Sequence, residues 1–184
     1  MNKNKFYLST VILLIICNSM LFGQLRVGFG LSSDYTMTIL GMDTDTEVDG
    51  GLVLGYDHLL KDKDKMQFGV GGEFMLNRKF SDADDDSGIA FHSIYGYGKY
   101  LVNDSVYGVG RLGYNVHAWS SDDAPDLKGG LTFGVGGGYT LNEKIAFEGI
   151  YSSHSGKVTS DGGMLSMEMD AKYTCITIGL VYSF

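Results

Sequence analysis

The stretch EGIYSSHSGK places Glu148, Ser152, Ser153, His154 and Ser155 close together. A serine beside an imidazole that a carboxylate orients is the composition of an activated nucleophile. The plainer reading is a strand edge where Ser and His meet a loop, and it is the one adopted here. GVGRLG, with Gly108, Gly110 and Gly113, has the spacing of a dinucleotide fingerprint. YNVHAW follows it, a strand continuation, so the helix N-terminus that would cradle phosphate is missing.

DADDDSG (Asp82 to Gly88) and DTEVDG (Asp45 to Gly50) suggest calcium loops, with Asp82, Asp84 and Asp86 as the candidate ligands. Their twelfth places hold Ser93 and Tyr56 instead of a bidentate Glu, so solvated acidic loops with at most a weak divalent site are expected. His58, His92 and His117 have no metal-ligand spacing. Glu73, Arg111 and Glu148 each stand among small residues on one face of an alternating segment. Buried charges persist when paired, so Arg111 between two carboxylates would make a polar plug or, alternatively, a pore lining.

These residues need elements to hold them, and the chain of 184 residues allows one domain. Lys3 and Lys5 precede an apolar run from Phe6 to Ile16, followed by CNSMLFG. That is a signal peptide, residues 1–23, cleaved between Gly23 and Gln24. The run is shorter than the ~20 apolar residues of a spanning helix. LIIC before Asn18 resembles a lipoprotein box, but Ile16 stands where a small residue belongs. The mature chain loses two Lys and keeps 12 basic against 22 acidic residues, which gives no electrostatic case for nucleic acid. It retains one cysteine, Cys175, so no intrachain disulfide is expected.

No segment carries a sustained apolar stripe of helical period, whereas period-2 alternation recurs. Eight strands are predicted, starting with QLRVGFGLS and then about Val48 to Leu59, Met66 to Asn77, IAFHSIYGYGKYL and VYGVGRLGYNVH. The remaining three are centred on Leu131 to Tyr139, Ile145 to Tyr151, and TCITIGLVYSF. LKDKDK, VNDS and LNEK are hairpin-length links, while 33–47, 79–88, 118–128 and 154–171 are long and polar. Short and long links alternate, as in an up-and-down meander with its tight turns at one end.

The faces opposite the bulky apolar rows carry Gly, Ser, Thr, Asn, Gln and the few charges. An eight-stranded barrel has room inside only for filling side chains, so the bulky row is expected outside, which requires lipid. Strands of about 10 residues suit a tilted crossing, and closure satisfies the backbone. Aromatics fall near both strand ends: Tyr35, Phe80, Phe91, Trp119 and Tyr151 toward the long links. Tyr56, Tyr100, Tyr107, Tyr139, Tyr182 and Phe184 lie toward the short ones. Two interfacial girdles are expected.

With that pattern and the ending TIGLVYSF, the mature chain resembles the small eight-stranded outer-membrane barrels of the OmpX/OmpA type. Thr177, Gly179, Tyr182 and Phe184 match the family's C-terminal signature. The resemblance implies that this strand is read by the barrel-assembly machinery and closes the barrel on the first strand. It also implies residence in the outer membrane of a Gram-negative bacterium, in contact with lipid and lipopolysaccharide. Some small barrels of this kind deacylate lipid A through a His-x-Ser-Asn motif; here Gly156 and Lys157 stand at its last two places.

The fold class read from the sequence is therefore all-β, an eight-stranded antiparallel up-and-down transmembrane β-barrel over residues 24–184. Its expected role is structural or surface-interacting, through acidic extracellular loops in or beside which 15 of the 22 acids sit. The alternatives are a narrow porin-like channel and a lipid-modifying enzyme. A monomer is expected, with neither catalysis nor cofactor beyond a weak divalent cation at the loops. A soluble lipocalin is the rival fold, but the only Trp is Trp119 and the first strand has none.

Overall fold

The computed structural model describes residues 23–31, 33–39, 41–81, 88–120, 126–161 and 166–184. The first three strands are β1 (Gly23–Gly30), β2 (Ser33–Ile39) and β3 (Met42–Val48). Then come β4 (Gly51–Lys63), β5 (Met66–Met75), β6 (Arg78–Lys79) and β7 (Gly88–Leu101). The last four are β8 (Val106–Ser120), β9 (Asp126–Thr140), β10 (Ile145–Asp161) and β11 (Ser166–Ser183). All but the last residue of the expected signal segment lies outside the described residues.

Eight strands form a ring in the order β1, β4, β5, β7, β8, β9, β10, β11, and β11 returns to β1. Every neighbouring pair is antiparallel, and the closing seam runs from Gln24↔Ser183 to Gly30↔Thr177. Closure removes the free edges that an open sheet would expose. At one end the turns are short. Asn103 Oδ1 accepts from the amides of Ser105 and Val106, and Asn142 Oδ1 accepts from those of Lys144 and Ile145. This shared side-chain device is why VNDS and LNEK turn so tightly.

At the other end the segments read as long loops are largely strand. Residues 33–48 fold into the β2–β3 hairpin, turning at Gly41 with φ 81°, and β2 joins β11 from Thr38↔Asp170 to Tyr35↔Tyr173. β8 and β9 reach Ser120 and Asp126, and β10 and β11 reach Asp161 and Ser166. The extension stays β because its inner face is apolar: Tyr35, Val48, Phe91, Val158 and Tyr173 form a buried cluster above the polar lumen. Short Thr and Asp side chains on the outer face hide that pattern from a hydropathy reading.

The outer face of the ring is apolar. Leu25, Val27 and Phe29 on β1, Leu112 on β8, and Ile176, Ile178 and Leu180 on β11 are between 44% and 67% exposed. A belt of this kind is stable only against hydrocarbon. The size rule used for the lumen needs correction, however. Tyr95, Tyr97 and Tyr107 point inward and are buried, while Gly96, Gly98, Gly108 and Gly110 take the outward places between and beside them. They fit because glycines on neighbouring strands leave niches. A Cβ on Gly71 would run into Tyr95, one on Gly69 into Tyr97, and one on Gly138 into Tyr107.

The girdles are corrected likewise. Tyr35, Phe91 and Tyr107 are buried and Phe80 packs against the inner cluster, leaving Tyr56, Tyr100, Tyr139, Tyr151, Tyr182 and Phe184 on the outside, while the Trp119 side chain lies outside what the structure describes. β7 alternates regularly, with Phe91, Ser93, Tyr95, Tyr97 and Lys99 inward, and the register shift at His92/Ser93 lies on β8, which carries one extra residue between Asn115 and His117.

Candidate functional site

Parity sends Arg26 from β1, Asp57 from β4, Glu73 from β5, Arg111 from β8 and Glu148 from β10 into the lumen. They meet in one layer. Arg26 Nη1 donates to Asp57 Oδ2 at 3.1 Å, and its Nη2 donates to Glu73 Oε2 at 2.8 Å and to Tyr95 Oη at 2.9 Å. Tyr95 in turn donates to Asp57 Oδ1 at 2.7 Å. Arg111 pairs with Glu148, which also accepts from Tyr107 at 3.2 Å, and Arg111 lies 3.7 Å from Asp57. Arg111 does stand between two carboxylates, but the second is Asp57; Glu73 belongs to Arg26.

Two guanidiniums against three carboxylates leave this layer one negative charge in excess. Lys99, buried one step toward the short turns, restores neutrality while it donates to Gln24 and lies over the Tyr97 and Tyr107 rings at 5.6 and 5.0 Å. A balanced, hydrogen-bonded set is the condition under which charges tolerate burial. Below Lys99 a cavity of about 240 Å³ opens between Gln67, Thr140 and the 142–144 turn, with Lys99 and Tyr107 in its wall.

Toward the other end the lumen fills further. Ser93 donates to Asn115 Oδ1 at 2.6 Å, and His154 Nδ1 lies 3.1 Å from both Asn115 Oδ1 and Thr132 Oγ1. Above it Arg78 pairs with Tyr173, and Phe91 stacks on His154 and Tyr173. The serine–imidazole–carboxylate alignment suggested by EGIYSSHSGK does not form among the described residues. His154 faces an amide and a hydroxyl, and Glu148 is held by Arg111 and Tyr107.

Gly108, Gly110 and Gly113 lie within β8, which continues as strand to Ser120. Asp82, Asp84 and Asp86 lie outside the described residues. Among the described residues no group of three or more His, Cys, Asp or Glu is placed to hold a metal. Asp43 and Asp45 instead accept from Thr38 and Thr36 across the β2–β3 hairpin, both at 2.7 Å.

On β11, Thr177 points inward and is buried, while Tyr182 and Phe184 point outward with their rings edge to face at 5.4 Å. Gly179 packs so closely on Gly28 that a Cβ there would meet its Cα at 2.7 Å. The Phe184 amide donates to the Gly23 carbonyl at 3.2 Å, joining the end of the last strand to the start of the first. Arg26, Asp57, Tyr95, Lys99 and Arg78 were not singled out from the sequence. Arg26 and Asp57 share the parity of Gly28 and Gly55, so alternation alone could have found both.

The closed ring, apolar exterior and charge-filled interior define the class: the chain has the fold of the small eight-stranded outer-membrane β-barrels. Among solved structures it is similar to Ail, the attachment invasion locus protein of Yersinia pestis, at 18% identity and TM-score 0.51, covering 88% of this chain and 99% of that one. It is similar to Neisserial surface protein A at 13% identity and TM-score 0.52, over 88% and 97%. The outer membrane protein AlkL matches at 15% identity and TM-score 0.52, over 88% and 90%. At these identities the likeness is one of fold. No protein-family model matches the chain, and no curated protein matches it in sequence.

Proposed function

We propose that this chain is an exported outer-membrane barrel that acts at the cell surface through the sheet and loops beyond its apolar belt. The observation that carries this is the filled lumen. Ion pairs, three tyrosines and an apolar cluster occupy successive layers, leaving the outer end as the part free to meet a partner. In this reading the short turns and both termini face the periplasm, after cleavage between Gly23 and Gln24. The β2–β3 hairpin and the acidic loops then face outward, where divalent cations bridge them to lipopolysaccharide. The paired charges of the Arg26–Arg111 layer weigh against the channel reading, and the lack of a Ser–His–carboxylate alignment among the described residues weighs against the enzyme reading.

Orientation and exposure are tested together with Thr44→Cys, at an exposed hairpin position, because native Cys175 is buried. A membrane-impermeant maleimide should label this variant on intact cells and leave the parent chain unlabelled. Labelling only after lysis would overturn the assignment of the outer end.

A further inference from the structure

The apolar belt is interrupted by a groove of about 690 Å³ across β4, β5, β7 and β8. Val70, Ile94, Leu112 and Tyr114 wall it, and Gly72 and Gly96 form its floor. Neither glycine is required by the fold. Neither has a positive φ, and the nearest atom to a Cβ would be 3.5 Å away at Gly72 and 3.9 Å at Gly96, ordinary contact distances. Side chains at these two places would fill the groove without strain.

Two further features sit along the same strand. His58 lines the groove, and its Nδ1 is buried without a hydrogen-bond partner among the described residues. Because Nδ1 is enclosed, the ring's Nε2–H is the group left for a ligand in the groove. Three residues on, roughly 10 Å along the strand, Lys61 pairs with outward Phe68; Lys63 pairs with outward Met66, and both lysines are exposed. From the groove toward the short turns the wall therefore presents hydrocarbon-lined space, then one hydrogen-bonding imidazole, then two cations.

That order matches one amphiphile. We infer that the β4–β8 groove is a site for a single anionic phospholipid of the leaflet on the short-turn side. Its acyl chain lies over Gly72 and Gly96, an ester carbonyl accepts from His58, and its phosphate meets Lys61 and Lys63. The inference rests on the transmembrane reading of the barrel.

The test is native mass spectrometry of the full mature chain, refolded in mixed micelles of detergent, phosphatidylglycerol and phosphatidylethanolamine. The parent barrel should retain one phosphatidylglycerol. Gly96→Leu and His58→Phe should lose it, while Gly110→Leu, outward-facing but outside the groove, should keep it. Heat-modifiable migration on a gel verifies that each variant is folded. A folded Gly96→Leu barrel that retains lipid like the parent, or a parent that retains none, overturns the site. A chain that folds and stays soluble without detergent overturns the transmembrane reading instead.

Discussion

Arg26 and Glu73 meet at 2.8 Å although their strands, β1 and β5, are separated in the ring by β4. Arg111–Glu148 likewise reaches past one strand, β9, whereas Arg26–Asp57 at 3.1 Å joins the adjacent strands β1 and β4. Charges from five strands thus brace the barrel from inside, paired with one another.

Arg26→Met leaves Asp57, Glu73 and Glu148 with Arg111 as their only guanidinium. Removing one partner of a buried ion pair costs about 3–5 kcal/mol. The urea midpoint of the lipid-refolded barrel should fall accordingly. Adding Glu73→Gln to that variant should recover part of the loss, since it removes one stranded charge.

The glycine niches separate two kinds of glycine. Gly71→Val drives a side chain into the Tyr95 ring and the Asp57 carboxylate. Overpacking of this sort costs about 1–3 kcal/mol. Gly110→Ala, with nothing within 4 Å of its Cβ, should be neutral or stabilise by about 0.4–1 kcal/mol. Equilibrium unfolding of the two variants side by side checks the contrast.

Deleting Phe184 removes an exposed outward ring and one edge-to-face contact with Tyr182. Little packing is lost, so the refolded protein should keep nearly its parent stability. The assembly role that the C-terminal signature implies predicts that the level of barrel in the outer membrane drops sharply in cells. Normal membrane levels of the truncated chain would contradict that role.

Calcium should raise the melting temperature of the folded barrel and slow protease cleavage between residues 82 and 87, where Asp82, Asp84 and Asp86 stand. A titration that leaves both unchanged removes the divalent component of the proposal.

The architecture was legible because lipid and a cramped lumen impose opposite demands on alternate residues. The TCITIGLVYSF stretch shows this directly: Ile176, Ile178, Leu180 and Tyr182 face out, while Thr177 and Val181 are buried inside. Alternation also placed Arg111 and Glu148 on the lumen face. Size, used as a guide to facing, failed at Tyr95, Tyr97 and Tyr107, because it judged each strand alone. The room they occupy belongs to Gly69, Gly71 and Gly138 on other strands. The partner of Arg111 was out of reach for a related reason. Which carboxylate crosses the lumen depends on the stagger between strands, and no single strand encodes it. The extension of β8 to β11 beyond the belt was missed because its water-facing residues are as polar as those of a loop.

The central claim is a barrel whose interior is closed by its own side chains. Single-channel recording in planar lipid bilayers tests it most directly. Correctly folded, heat-modifiable protein should be silent, with no steady conductance above the bare bilayer. Steady channels whose conductance changes on Arg111→Ala would contradict it and restore the pore.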